Sequence, residues 1–83
     1  MKTIFYRRSA SKELMSLGAA EREGIVAKLK QYAADPAALA NQVKALKGVA
    51  AWRLRIGDYR VISRSETDRI VVLKVGHRRD VYE

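Results

Sequence analysis

Trp52-Arg53-Leu54-Arg55-Ile56-Gly57-Asp58-Tyr59-Arg60-Val61-Ile62 is the stretch on which the fold of this 83-residue chain turns. Its apolar and basic residues alternate with period two, the spacing that sends successive side chains to opposite faces of a strand. Gly57-Asp58 supplies a two-residue hairpin turn, with Gly at the first central position as a type II′ turn requires. That turn sets Arg55 opposite Arg60, Leu54 opposite Val61 and Arg53 opposite Ile62. Trp52, Leu54, Ile56, Tyr59 and Val61 then share one face, and Arg53, Arg55 and Arg60 share the other. Like charges directly opposite one another destabilise a sheet. A purely structural hairpin has no use for the Arg55–Arg60 pair, and such local rule-breaking is expected at a functional site.

Downstream, Arg69 to Gly76 reads as the next strand, after a turn near Glu66-Thr67-Asp68. A two-residue turn would pair Val61 with Lys74 and drive the ammonium into the core, at a cost of several kcal/mol. A three-residue turn is preferred. It pairs Val61 with Leu73 and Arg60 with Lys74, joins Lys74 to the arginine face, and puts Val71, Leu73 and Val75 in the core. Upstream, Thr3 to Arg7 is β-branched and aromatic enough for a short opening strand. Ser9 or Ser11 can cap a first helix with an apolar face of Ala10, Leu14 and Leu17, ended by Gly18. A second helix spans about Ala19 to Ala34. There Ile25, Leu29, Tyr32 and Ala33 fall on one stripe, and Asp35-Pro36 stops it. Between 37 and 50 the pattern predicts a loop or short helical turn anchored by Val43 and Leu46 and closed by Gly48.

The fold class that follows is α+β: an N-terminal strand, two helices, then an antiparallel sheet of three or four strands with the helices packed on one face. Residues 1–83 make a single domain. Absence of Cys excludes a disulfide scaffold and a cysteine nucleophile. Nothing approaches the ~20 apolar residues of a membrane span, and no signal-peptide-like run opens the chain. With 17 Lys+Arg against 9 Asp+Glu, the net charge is +8, which favours polyanionic partners. The second half carries the larger share, much of it as Arg, whose planar fork binds two phosphate oxygens at once.

Val75-Gly76-His77-Arg78-Arg79-Asp80-Val81-Tyr82 carries a second constellation. Gly76 lets the chain bend, so that His77, Arg78 and Tyr82 can return towards the arginine face. Arginines with a His and a Tyr, without paired carboxylates or a Ser-His-Asp set, do not suggest a glycosidase or a protease. They suit phosphodiester chemistry without metal, in which a cationic cup stabilises the extra charge on five-coordinate phosphorus. A lone His lacks the partners of a metal site, so no metal or other cofactor is expected.

The order of strand, two helices and the 52–62 hairpin closely resembles the RelE/ParE toxin superfamily of type II toxin–antitoxin systems. The ending Val75 to Tyr82, the front end Tyr6-Arg7-Arg8-Ser9-Ala10-Ser11-Lys12-Glu13-Leu14 and the Leu46-Lys47-Gly48 step resemble its RelE branch. The resemblance implies a cytoplasmic, ribosome-dependent endoribonuclease. It would cut A-site mRNA by attack of the RNA 2′-hydroxyl on the adjacent phosphate and so inhibit translation. By the same resemblance, Arg60 and Arg78 grip the scissile phosphate and Tyr82 stacks on or orients a base. Arg53 and Arg55 hold the RNA and stabilise charge. Apart from the resemblance, Lys74, from its register on the arginine face, and Arg79 are expected as further RNA contacts. The best-studied members carry Lys at the paired positions occupied here by Arg53 and Arg55. Arg almost never loses its proton, which leaves His77 or Tyr82 for proton transfer. Implied partners are an acidic, RelB-like antitoxin and the ribosome with mRNA in its A site, with no membrane partner and a monomeric free toxin. The alternatives are a ParE-like inhibitor of DNA gyrase and a non-catalytic nucleic-acid-binding module.

Overall fold

Ile25, Leu29, Tyr32 and Ala33, spaced to form one stripe, are all buried along helix α2, Ala19–Ala34. They meet Ala10 and Leu14 of helix α1, Arg8–Met15, and the inner face of a sheet. This computed structural model describes residues 2–46, 48, 50–77 and 79. The sheet has five strands: β1 (Thr3–Tyr6), β2 (Val43–Ala45), β3 (Trp52–Ile56), β4 (Tyr59–Ser65) and β5 (Arg69–His77). Their order is β1-β5-β4-β3-β2. The architecture is α+β with both helices on one face, as expected. It is larger than the expected three or four strands because β1 joins the sheet, running parallel to β5. A parallel neighbour needs a crossover, and the chain from α1 to β4 is that crossover. A further strand, β2, closes the other edge.

The β3–β4 hairpin has the expected register, with Leu54 opposite Val61 and Arg55 opposite Arg60. Gly57 has φ +58 while Asp58 stays out of the left-handed region, the combination of a type II′ turn. The helix boundaries are less faithful. Neither Ser9 nor Ser11 caps α1, whose N-cap is Arg7 without a side-chain bond. Gly18 does not end α1 either; it is the extended residue that opens α2. Asp35-Pro36 does stop α2, and the chain continues as a 3₁₀ segment, Pro36–Gln42. Within the stretch expected as a loop or short helical turn, that segment is the helical part, and Val43–Ala45 instead form β2, which pairs Val43 with Leu54 and Ala45 with Trp52.

The β4–β5 register is a correction. Glu66 N–H donates to the Arg69 carbonyl at 2.8 Å, so the turn holds two residues, not three. Ser65 faces Ile70 and Ser63 faces Val72, but Ile62 then faces Lys74, and Val61 faces Val75. A bulge beside Leu73 absorbs one residue of β5. The argument that an ammonium must stay out of the core holds, but an irregularity within the strand, not a longer turn, enforces it. As a result Ile70, Val72 and Val75 lie in the main core. Val71 and Leu73, expected there, alternate to the far face, where Leu73 packs with Leu46, Ala51 and Ile62. Trp52 keeps the helix-side parity of Leu54, yet it is 41% exposed near the sheet edge.

Candidate nucleic-acid interface

The hairpin turns Arg53, Arg55 and Arg60 away from the helices, because Leu54, Ile56, Tyr59 and Val61 pack into the core between them. Apolar burial at about 25 cal/mol per Å² sets the register, and the register aims the guanidinium groups. β2 adds Lys44, opposite Arg53 on the same face. Together with Asn41, Gln42 and Val43 these four cations line a cavity of about 180 Å³. That is smaller than the usual cleft for a drug-sized ligand and suits one compact anionic group such as a phosphate. Arg60 is partly buried and steadied by a donation from Nη1 to the Tyr59 carbonyl at 3.4 Å. Gly76 stands opposite Arg60 on β5 and puts no side chain beside it.

Three sequence-selected positions lie elsewhere. Lys74 has the register of the cationic face, opposite Ile62, but its ammonium donates to Glu13 Oε2 at 3.1 Å. The other carboxylate oxygen, Oε1, accepts from the Val75 N–H at 2.9 Å. Glu13 thus clamps α1 to the part of β5 that extends beyond β1. His77 stands opposite Tyr59, with ring centroids 5.7 Å apart and planes at 78°. Tyr59 belongs to the helix-side core, so His77 is on the other side of the sheet from Arg55 and Arg60. It helps line a separate cavity of about 290 Å³ with Glu13, Ser16, Leu17 and Lys74. Arg79 is exposed just after β5, where its N–H donates to His77 Nδ1 at 3.3 Å. Arg78 and Tyr82 lie outside the described residues. Among the described residues, no group of three or more His, Cys, Asp and Glu has the arrangement of a metal site.

Lys44, Asn41 and Gln42 were missed in the sequence. Val43-Lys44-Ala45 is three residues long, too short for alternation to announce a strand. Only pairing with β3 brings Lys44 into the cup. Beyond the cup, Glu66 accepts from Arg69 Nε at 2.6 Å and from Arg64 Nε at 3.2 Å. The Arg69 bond above all holds the Glu66 carboxyl below its ordinary range; desolvation opposes it, and the charge of Arg69 and then the Arg64 bond add to the lowering.

The model of the ParE toxin family of type II toxin–antitoxin systems, parDE, matches residues 4–82. The chain belongs to that family. Solved structures agree on the fold and are RelE-like. A chain of the toxin–antitoxin complex RelBE2 from Mycobacterium tuberculosis is 22% identical with a TM-score of 0.79, over 93% of this chain and 98% of that one. A RelE–RelB complex from Pyrococcus horikoshii OT3 gives 24% identity and a TM-score of 0.76, over 96% and 98%. The intact Escherichia coli RelBE complex gives 26% and 0.72, over 93% and 96%. No curated protein sequence matches the chain. This ParE-family toxin therefore sits in the RelE/ParE superfamily, and the three solved structures named above are toxin–antitoxin complexes. None of its described helices is long and apolar enough to cross a membrane.

Proposed function

We propose that this toxin is a ribosome-dependent endoribonuclease that cuts mRNA in the A site without a metal ion. The observation that carries the reading is the convergence of Arg53, Arg55, Arg60 and Lys44 on one phosphate-sized cavity. In the reaction the 2′-hydroxyl oxygen bonds to phosphorus and the bond from phosphorus to the 5′-oxygen breaks. The products are a cyclic phosphate and a 5′-hydroxyl. One proton leaves the nucleophile and one reaches the leaving oxygen. Arg60 and Arg55 stabilise the charge that builds on the non-bridging oxygens, where one preorganised donor contributes about 10²–10³-fold in rate by analogy with oxyanion holes. Arg53 holds the neighbouring backbone. Arg78 as a second phosphate grip and Tyr82 as a stacking residue complete the assignment on the strength of the family resemblance. Guanidinium groups do not exchange protons near neutrality. Of the side chains lining the cup among the described residues, Lys44 is the one ionisable group that is not a guanidinium. We assign it proton transfer in place of His77, which faces the other side of the sheet.

The same reading assigns the partners. An acidic, RelB-like antitoxin neutralises a chain of net charge +8; on this reading the toxin acts on ribosomes in the cytoplasm, and the free toxin is a monomer. The test is purified toxin with programmed ribosomes. Cleavage within the A-site codon, lost in Arg60→Ala with the fold intact, is the expected result; unchanged cleavage in Arg60→Ala rejects the site. The match to the ParE family model favours a second reading, inhibition of DNA gyrase. A supercoiling assay inhibited equally by wild type and Arg60→Ala, with mRNA left whole, would establish it.

A further inference from the structure

The sheet face that bears the cup does not end there. Ile4 and Tyr6 pack on the helix-side core, so Phe5, between them on the outermost strand β1, faces the same side as Arg60. Phe5 is 49% exposed. It stands in one row with Val71 and Arg64, across β1, β5 and β4. The Arg69 guanidinium carbon lies 5.2 Å from the Phe5 ring centroid. Glu66 bonds both Arg69 and Arg64, which removes much of the rotamer freedom two exposed arginines would otherwise lose on binding. This second cluster is about four residues along β4 and two strand spacings from Arg60, roughly 16 Å. An exposed ring interleaved with fixed guanidinium groups is the combination that binds single-stranded nucleic acid: bases stack, and cations track the phosphates. Between the clusters the sheet is apolar and largely covered: Ile62 and Val71 are buried, and Ile62 and Leu73 pack with Leu46 and Ala51.

We propose that Phe5, with Arg64 and Arg69, forms a second RNA-binding station on this face, where a base of the strand running out of the cup stacks on the Phe5 ring. The inference rests on the endoribonuclease reading for what occupies the cup. The station itself is argued from the aromatic, the two arginines and their place on the same side of the sheet as the cup. It gives the toxin a grip on RNA a few nucleotides from the cut, and because stacking tolerates any base, that grip carries little sequence preference.

The test measures binding of the full chain to a ten-nucleotide single-stranded RNA, blocked by 2′-deoxy substitution, by fluorescence anisotropy over a salt series. Phe5→Leu keeps an apolar side chain over Val71 and loses the ring; Phe5→Trp keeps a ring. The expected results are about tenfold weaker binding for Phe5→Leu with an unchanged salt slope, and wild-type affinity or better for Phe5→Trp. Arg69→Gln should lower the salt slope by about one. Wild-type affinity in Phe5→Leu overturns the proposal, as does equal loss in Phe5→Leu and Phe5→Trp. So does a Phe5→Leu variant that binds RNA normally and fails only to bind an acidic antitoxin, since the face would then be a protein interface. Ribosomal cleavage that still depends on Arg60 leaves the endoribonuclease reading standing if the station fails. Conversely, ring-dependent RNA affinity together with uncut mRNA on ribosomes removes the nuclease and keeps the station.

Discussion

Replacing Arg55 by Thr should make the toxin more stable and abolish its activity. Arg55 and Arg60 are direct cross-strand partners one step from the turn. In a two-residue hairpin that is a non-hydrogen-bonded pair, the closer of the two kinds, with Cα atoms ~4.5 Å apart. Two guanidinium charges about 6 Å apart repel by ~0.7 kcal/mol in a medium like water. At 0.15 M salt, with a Debye length of about 8 Å, roughly half of that remains. Arg53 and Lys44 line the same cavity and add to the repulsion. Thr also prefers an exposed strand position to Arg by a few tenths of a kcal/mol. The expected gain is ~0.5–1 kcal/mol, or roughly 3–6 °C in Tm for a domain of this size. The assay is thermal unfolding at about 0.02 M and 0.5 M salt. The gain should be largest at the lower salt and shrink to the propensity contribution at the higher. Arg64→Thr is the control: Arg64 is bonded to Glu66, so its loss should bring no salt-dependent gain. Destabilisation by Arg55→Thr at low salt, or a gain independent of salt, would refute the view that the hairpin carries a repulsive pair for the sake of its ligand. A fully active and stabilised Arg55→Thr toxin would refute the functional half.

Lys44→Gln should slow mRNA cleavage by at least tenfold on programmed ribosomes. Lys44→Arg, which keeps the charge but not an exchangeable proton, should fail to restore it. Leu29→Ala, at a fully buried position of α2, should cost 2–5 kcal/mol in urea unfolding. Glu66→Gln should lower stability at neutral pH. Because the folded carboxyl titrates below its unfolded value, the difference between the two proteins is complete above the unfolded value and vanishes as pH falls through the lower folded one. A difference that persists in strong acid would show that the Arg64–Glu66–Arg69 array acts through something other than charge.

Residues whose roles depend on near neighbours were legible directly. Alternation in Trp52 to Ile62 and the Gly57 turn were enough to place Leu54 against Val61 and to turn Arg53, Arg55 and Arg60 to one side. The buried stripe of α2 and its stop at Asp35-Pro36 were read from a 3.6-residue period and a single Pro. These features rest on local backbone sterics and on the sorting of apolar from charged groups, which act over a few residues.

Tertiary structure decided the rest, because it depends on pairing between distant segments. Val43-Lys44-Ala45 has no strand signal of its own; it becomes a strand because β3 offers a free edge, and so Lys44 enters the cup. The bulge at Leu73 is invisible to any fixed period, yet it moves Lys74 out of the core and sets Val75 into it. Glu13 then reaches across from α1 to take the Lys74 ammonium. His77 follows the same shift in parity and lies beside Tyr59, on the helix side of the sheet. Composition and periodicity can choose which face of a strand is apolar. Only the assembled sheet, through its register and edges, determines which cations meet.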